Sequence, residues 1–255
     1  MIAEIHNKIS NTYSNLTEKL EDQLTGNVFG SLRYLPLEIG LIPLINECYS
    51  DNLDEINKFI NDSNKTDYKF WYKSSKYGEI DLIIEFFKKE ELCGVIGIEV
   101  KYLSSISSDQ DEFCGDDKEQ DKKCIHQLWR YMKLLNETYP KIPKAIIYLT
   151  NSYDDSKNHI DKAIYLDEGK SHIFTMRLTW SKVHHVIYKE KLKNPLFPYN
   201  IIISDIENLL RHKNLDSFMP LEIVKNPRIT YLFDKHKYQY NFNYKKTFVS
   251  YSTIK

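Results

Sequence analysis

From Gly78 to Tyr102 the chain reads GEIDLIIEFFKKEELCGVIGIEVKY. β-branched and aromatic residues fill two arms, Glu79 to Phe87 and Leu92 to Tyr102, around the polar turn Lys88-Lys89-Glu90-Glu91, a pattern that predicts a mostly buried β-hairpin. Before it, Leu16, Leu20, Leu24, Val28 and Leu32 recur at helical spacing within 15–34 and predict a helix that Pro36 ends. Gly26 and Gly30 would let this helix approach a neighbour closely. Apolar segments at 37–48 and 53–60 are expected to pack over the sheet. DYKFWYKSSK at 67–76 alternates as a strand leading into the hairpin, so three consecutive antiparallel strands are expected.

After the hairpin, 123–136 turns helical again, with Ile125, Leu128, Met132 and Leu135 on one side, and KAIIYLT at 144–150 reads as a buried strand. Further on, 172–178 reads as another strand. Thr179 can cap a helix containing Trp180, Val183, Val186 and Ile187, and 205–211 continues helical with Ile206, Leu209 and Leu210 inward. Two stretches break these patterns. SSISSDQDEFCGDDKEQDKK at 104–123 is polar and mainly acidic, cannot bury a core, and is expected to be a loop. The tail 228–255 is basic and aromatic, with Tyr238, Tyr240, Phe242 and Tyr244 on one face of a strand. That face suits stacking on nucleic acid, closure of the core, or pairing with a second subunit.

The chain's 255 residues are ample for a substantial core. Lys+Arg 35 against Asp+Glu 36 leaves no global basic field, so any nucleic-acid surface must be local. Cys48, Cys93, Cys114 and Cys124 form no CxxC pair, which argues against a zinc ribbon and suggests reduced thiols. The first residues carry no basic stretch followed by an apolar run, and no apolar stretch approaches membrane-spanning length. A cytoplasmic protein is expected, with no membrane partner.

Against this background the charges inside the hairpin stand out. Asp81 lies in the first arm and Glu99 and Lys101 in the second, where ionised groups are costly unless they are paired or bind a metal. Residues two apart on a strand share a face, so Glu99 and Lys101 point the same way, and Asp81 joins them if the hairpin pairs in register. Two carboxylates to hold a hard cation and a lysine to orient or deprotonate a water are what a metal-dependent phosphodiesterase needs. An ordinary Glu-Lys pair on a surface hairpin is the plainer explanation of the same residues.

Asp81 followed by Glu99-Val100-Lys101 resembles the motif of the PD-(D/E)XK nuclease superfamily, with Ile80 where the motif has proline. Gln127 and Tyr131, one turn apart on the following helix, resemble the QxxxY motif of its RecB-type members, where these residues face the active site and the DNA. EDQLTGNVFGSLRYLP resembles the superfamily's first helix, with Glu21 in the acidic position and Glu18 and Asp22 as neighbouring alternatives. Some RecB-type relatives hold an iron-sulfur cluster, but the cysteine spacing here does not suit one. The strand and LTW-helix beyond 172 resemble an extension found in some phage-defence nucleases. There His184 and His185 read either as a metal or proton-transfer pair or as the polar edge of an amphipathic helix.

The resemblance implies an α/β fold with a restriction-endonuclease-like αβββαβ core over 1–150, a mixed central sheet flanked by helices, and a C-terminal extension over 151–255 that completes the domain and binds DNA or dimerises. It implies a DNA nuclease of restriction or antiviral defence that uses magnesium, or manganese in its place, held by Glu21, Asp81, Glu99 and the Val100 carbonyl. Lys101 would position the water, and Gln127 and Tyr131 would hold substrate or a water on the metal. A catalytically inactive nucleic-acid-binding or assembly module, or a structural partner protein of a larger defence complex, would keep the same fold.

Overall fold

The computed structural model describes residues 16–102, 126–151, 153–193 and 199–217. Helices α1 (Leu16–Leu32), α2 (Leu41–Asn46) and α3 (Leu53–Asp62) precede strands β1 (Lys65–Ser74), β2 (Gly78–Lys88) and β3 (Glu91–Val100). Helix α4 (Gln127–Thr138), β4 (Lys144–Thr150), α5 (Tyr153–Asp167), β5 (Ile173–Thr179), α6 (Trp180–Lys193) and α7 (Tyr199–His212) follow. The acidic stretch 104–123 and the tail 228–255 lie outside the described residues, and all that is described falls within one compact unit that ends at Phe218.

The strands form one mixed sheet in the order β1-β2-β3-β4-β5. β1, β2 and β3 are antiparallel neighbours joined by short turns, whereas β3, β4 and β5 run parallel. Parallel neighbours need a crossover, and α4 and α5 lie within those connections. Alternation along the strands splits the core by face. Leu82, Ile84, Ile96, Ile98, Ile147 and Met176 pack in one cluster with α1, α2, α3, α6 and α7. Ile83, Val95, Ile146 and Tyr148 pack in another with α4 and α5. Covered on both sides, β4 is buried at every residue, which is why KAIIYLT reads as an unbroken apolar run under one lysine.

Gly97 sets how closely α4 approaches β3. A Cβ there would come within 2.8 Å of Leu135 Cδ1 and 2.9 Å of Ile80 Cδ1, so the missing side chain lets the helix that carries Gln127 and Tyr131 lie against the strand.

Three expectations need correcting. The second hairpin arm was expected to reach Tyr102, but β3 ends at Val100, because the Val100 N–H is given to the Asp81 carboxylate at 2.8 Å instead of continuing the ladder with β2. Helix α5 has no counterpart in the sequence reading. His184 is not on a polar edge: it is 1% exposed between α6 and α7, with Nδ1 accepting from the Ser217 N–H at 3.0 Å and Nε2 facing Glu207. Its neighbour His185 is only half-buried. Among the described residues no helix is long and apolar enough to cross a membrane.

Candidate functional site

Register brings Asp81 and Glu99 together. Leu82 pairs with Ile98 and Ile83 with Gly97 across β2 and β3, so one step further sets Glu99 level with Asp81. On the other side of β2, Phe70 pairs with Leu82 and Tyr72 with Ile80, which leaves Trp71 opposite Asp81. Trp71 has φ 48, a left-handed conformation costly for a bulky aromatic and held only where surroundings over-determine it. One such restraint is its indole Nε1, which donates to Asp22 Oδ1 at 2.9 Å and ties β1 to the helix that carries Glu21.

Beyond the end of β3, Lys101 turns its ammonium back over the strand. Nζ lies 2.7 Å from Glu99 Oε1 and 3.3 Å from Glu21 Oε1. The second Glu21 oxygen accepts the Tyr102 N–H at 2.8 Å. The Lys101 backbone is held from two sides, its N–H donating to the Leu149 carbonyl at 2.7 Å and its carbonyl accepting from Trp180 Nε1 at 3.1 Å. Glu21 therefore reaches the site from α1, Asp81 from β2, and Glu99 and Lys101 from β3 and its exit. Of the neighbouring alternatives, Asp22 is turned to Trp71, and the side chain of Glu18 lies outside the described residues.

These charges perturb one another. Burial first, and the Glu99 charge next, push the Asp81 carboxyl well above its ordinary range. Burial also raises Glu99, against the opposing pull of Lys101. Burial alone would lower Lys101, yet Glu99, Glu21 and Asp81 together outweigh it and hold the ammonium well above its ordinary value. Glu99 Oε2 is buried and accepts from no amide, ammonium or hydroxyl among the described residues, and a hydrogen bond with the Asp81 carboxyl, whose raised value favours its proton, offsets part of the cost.

Gln127 and Tyr131 lie on the α4 side of the same site. Gln127 Nε2 donates to the Tyr131 hydroxyl at 2.9 Å, and that hydroxyl donates in turn to the Glu79 carbonyl. At 2% exposure Tyr131 braces β2 two residues before Asp81. Burial and then the Glu99 charge push its hydroxyl well above its usual range, so it stays a neutral donor. Gln127 Oε1 is buried and without a partner.

Among the described residues no group of three His, Cys, Asp or Glu side chains is arranged to hold a metal ion. Lys101 stands between Glu99 and Glu21, so Glu21 does not join the other two acids around a common point. Magnesium asks for less than a three-ligand cage, since it is commonly held by one or two carboxylates and keeps several waters. Asp81 and Glu99, buried side by side with charges that raise the Asp81 value and with no amide or hydroxyl on Glu99 Oε2, fit that smaller requirement. Glu21 then fits a contact through water, and Val100 enters the site through its N–H on Asp81.

Sequence reasoning missed three supports of this site. Trp71, Trp180 and Asn151, whose side-chain amide donates to the Tyr102 carbonyl, all act on backbone or on residues distant in the chain; no motif marks Trp71 or Asn151, and the LTW likeness that holds Trp180 does not point to Lys101. No protein family, no curated protein and no solved structure matches this chain.

Proposed function

We propose that this chain is a magnesium-dependent deoxyribonuclease with a restriction-endonuclease-like core, able to use manganese in place of magnesium and acting in restriction or antiviral defence. The observation that carries the reading is the convergence of Asp81, Glu99 and Lys101 at the carboxyl end of β3, two buried carboxyl groups and an ammonium at one point. The order of a first helix, an antiparallel β1-β2-β3 meander, α4 and a parallel β4 supports it, as does the resemblance of the motif residues.

Asp81 and Glu99 would hold the cation, with Glu21 reaching it through water. When bound, magnesium would supply Lewis acidity at the phosphate and offset charge on the leaving oxygen. Lys101, beside Glu99 and Glu21, would orient the attacking water and stabilise charge as it builds. Tyr131 and Gln127 hold the start of β2 in place, and Gln127 Oε1 has acceptor capacity left for a water or substrate.

A catalytically silent nucleic-acid-binding or assembly module is the second reading. The position of Lys101 between Glu99 and Glu21 favours it, because the ion pairs satisfy much of the site without a metal. Incubating end-labelled linear DNA and circular DNA with the purified chain, in magnesium and in EDTA, separates the two. Fragments that form only with magnesium support the nuclease. DNA that is bound but intact in both supports the module.

A further inference from the structure

A cavity of ≈ 450 Å³ opens beside the site and is filled by none of its side chains. The residues just past three strands line it: Tyr102 after β3, Asn151 after β4, and Trp180 after β5. Ser181 of α6 and the segment after α7, with Lys213 and Asp216, complete the wall. In open α/β sheets the crevice outside the carboxyl ends of the strands is where ligands bind, and the volume falls in the range of about 300–1,000 Å³ usual for small-ligand sites.

Its wall is bonded directly to the charged site. Tyr102 gives its N–H to Glu21 and its carbonyl accepts from Asn151, while Trp180 holds the Lys101 carbonyl. A ligand in the cavity thus sits one residue from the ammonium. The chemistry on offer is mixed. There are two aromatic rings, Tyr102, with Lys213 Nζ 5.9 Å from its centroid, and Trp180, two side-chain amides, Asn151 and Asn214, the hydroxyls of Tyr102 and Ser181, and one carboxylate. A lone polyphosphate would meet the Asp216 carboxylate, and an apolar ligand would strand the polar groups. A nucleotide matches the set: an aromatic ring for base or sugar, donors and acceptors for a base edge, and a cation for one phosphate.

We infer that this cavity takes one unpaired nucleotide of the strand being cut, next to the phosphate at Lys101, and that the substrate is single-stranded or frayed DNA. The inference rests on the nuclease reading and adds its substrate class. A paired base enters only after unpairing and unstacking, at a cost of a few kcal/mol that an unpaired base avoids.

The test measures binding in EDTA, apart from catalysis, using a labelled single-stranded oligodeoxynucleotide and a blunt duplex of the same sequence. The parent is compared with Ser181→Trp and Asp216→Leu, both at exposed positions outside the charged site. The parent is expected to bind the single strand about tenfold more tightly than the duplex, the lower end of what one bound base contributes. Ser181→Trp, which fills the cavity, should bring the ratio to about one. If its melting curve shows it unfolded, Asp216→Leu decides in its place by the same narrowing. A parent without the preference, or a folded variant that keeps it, overturns the inference. Cleavage in magnesium is read separately, so that single-strand preference without cleavage removes the enzyme and leaves the cavity, and cleavage without preference does the reverse.

Discussion

The indole Nε1 of Trp180 donates to the main-chain carbonyl of Lys101 at 3.1 Å, across 79 positions of sequence. With the Lys101 N–H on Leu149, this bond fixes a residue that has already left β3. Trp180→Phe keeps most of the buried ring but leaves the carbonyl unsatisfied, at a cost of about 1–3 kcal/mol. The expected result is a melting temperature lower by roughly 2–12 °C and a kcat lower by about tenfold, with a smaller change in KM because the phenyl ring still lines the cavity. Melting curves and steady-state kinetics on the same preparation check both.

Asp81 is held above its ordinary range by burial and by Glu99, so in the metal-free protein its charged form is a destabilising one. Asp81→Asn keeps the shape and removes the repulsion. In EDTA at pH 7 it should melt a few degrees above the parent, while the stabilisation that magnesium gives the parent disappears. The sign with pH follows from a raised folded-state value: the parent binds the extra proton when folded, so its stability falls as pH rises above the ordinary aspartate range. The advantage of Asp81→Asn in EDTA should widen over the same interval.

Lys101→Ala acts in the opposite direction. It leaves Glu99 and Glu21 buried without their shared cation, and breaking a buried pair from one side costs about 3–5 kcal/mol. The variant should melt well below the parent in EDTA and regain more from magnesium than the parent does. Thermal melts across a magnesium titration read this directly.

Away from the site, His184 is kept neutral mainly by burial, with Arg211 and His185 adding to that and Glu207 and Asp216 opposing it. Its Nδ1 accepts from the Ser217 N–H, a bond that a protonated ring cannot accept. A lowered folded-state value means that the unfolded chain binds the proton first. Stability is therefore complete above a pH of about 6.5, the ordinary histidine value, and is lost as pH falls below it. His184→Phe should flatten that slope between about pH 6.5 and pH 5, as measured by denaturant midpoints.

What the sequence made legible was local or strictly periodic. The strand 144–150 was read with the bounds observed, because burial on both faces writes an unbroken apolar run. The juxtaposition of Asp81 and Glu99 was legible only as a condition on register, because the pairing of Phe87 with Leu92 beside the turn would set Asp81 against Ile98, and a bulge between Phe86 and Phe87 shifts the register one step to Glu99. Helix α5 was missed because YDDSKNHIDKAIYLD is interrupted by polar residues, and among its described side chains only Ile160 and Ala163 join the core cluster. Trp71 looked like any strand residue in the sequence, yet at its left-handed position the alternation breaks: Phe70 and Trp71 both join the cluster with α1, and Tyr72 joins the one with α4. His184 looked solvated because its partners, Ser217 and Glu207, are 33 and 23 positions away in the chain. Glu21 could be singled out from Glu18 and Asp22 only by resemblance, because its contacts with Lys101 and Tyr102 span 80 and 81 positions.

The most direct test of the central claim is single-turnover hydrolysis of single-stranded DNA by the parent and by Lys101→Ala, in magnesium and in EDTA, with melting curves on the same samples. The account predicts cleavage by the parent in magnesium alone. It predicts a rate lower by about 100-fold or more in Lys101→Ala, whose melting temperature magnesium still raises. DNA left intact by the parent in magnesium, or cleavage by Lys101→Ala at the parental rate, would contradict it.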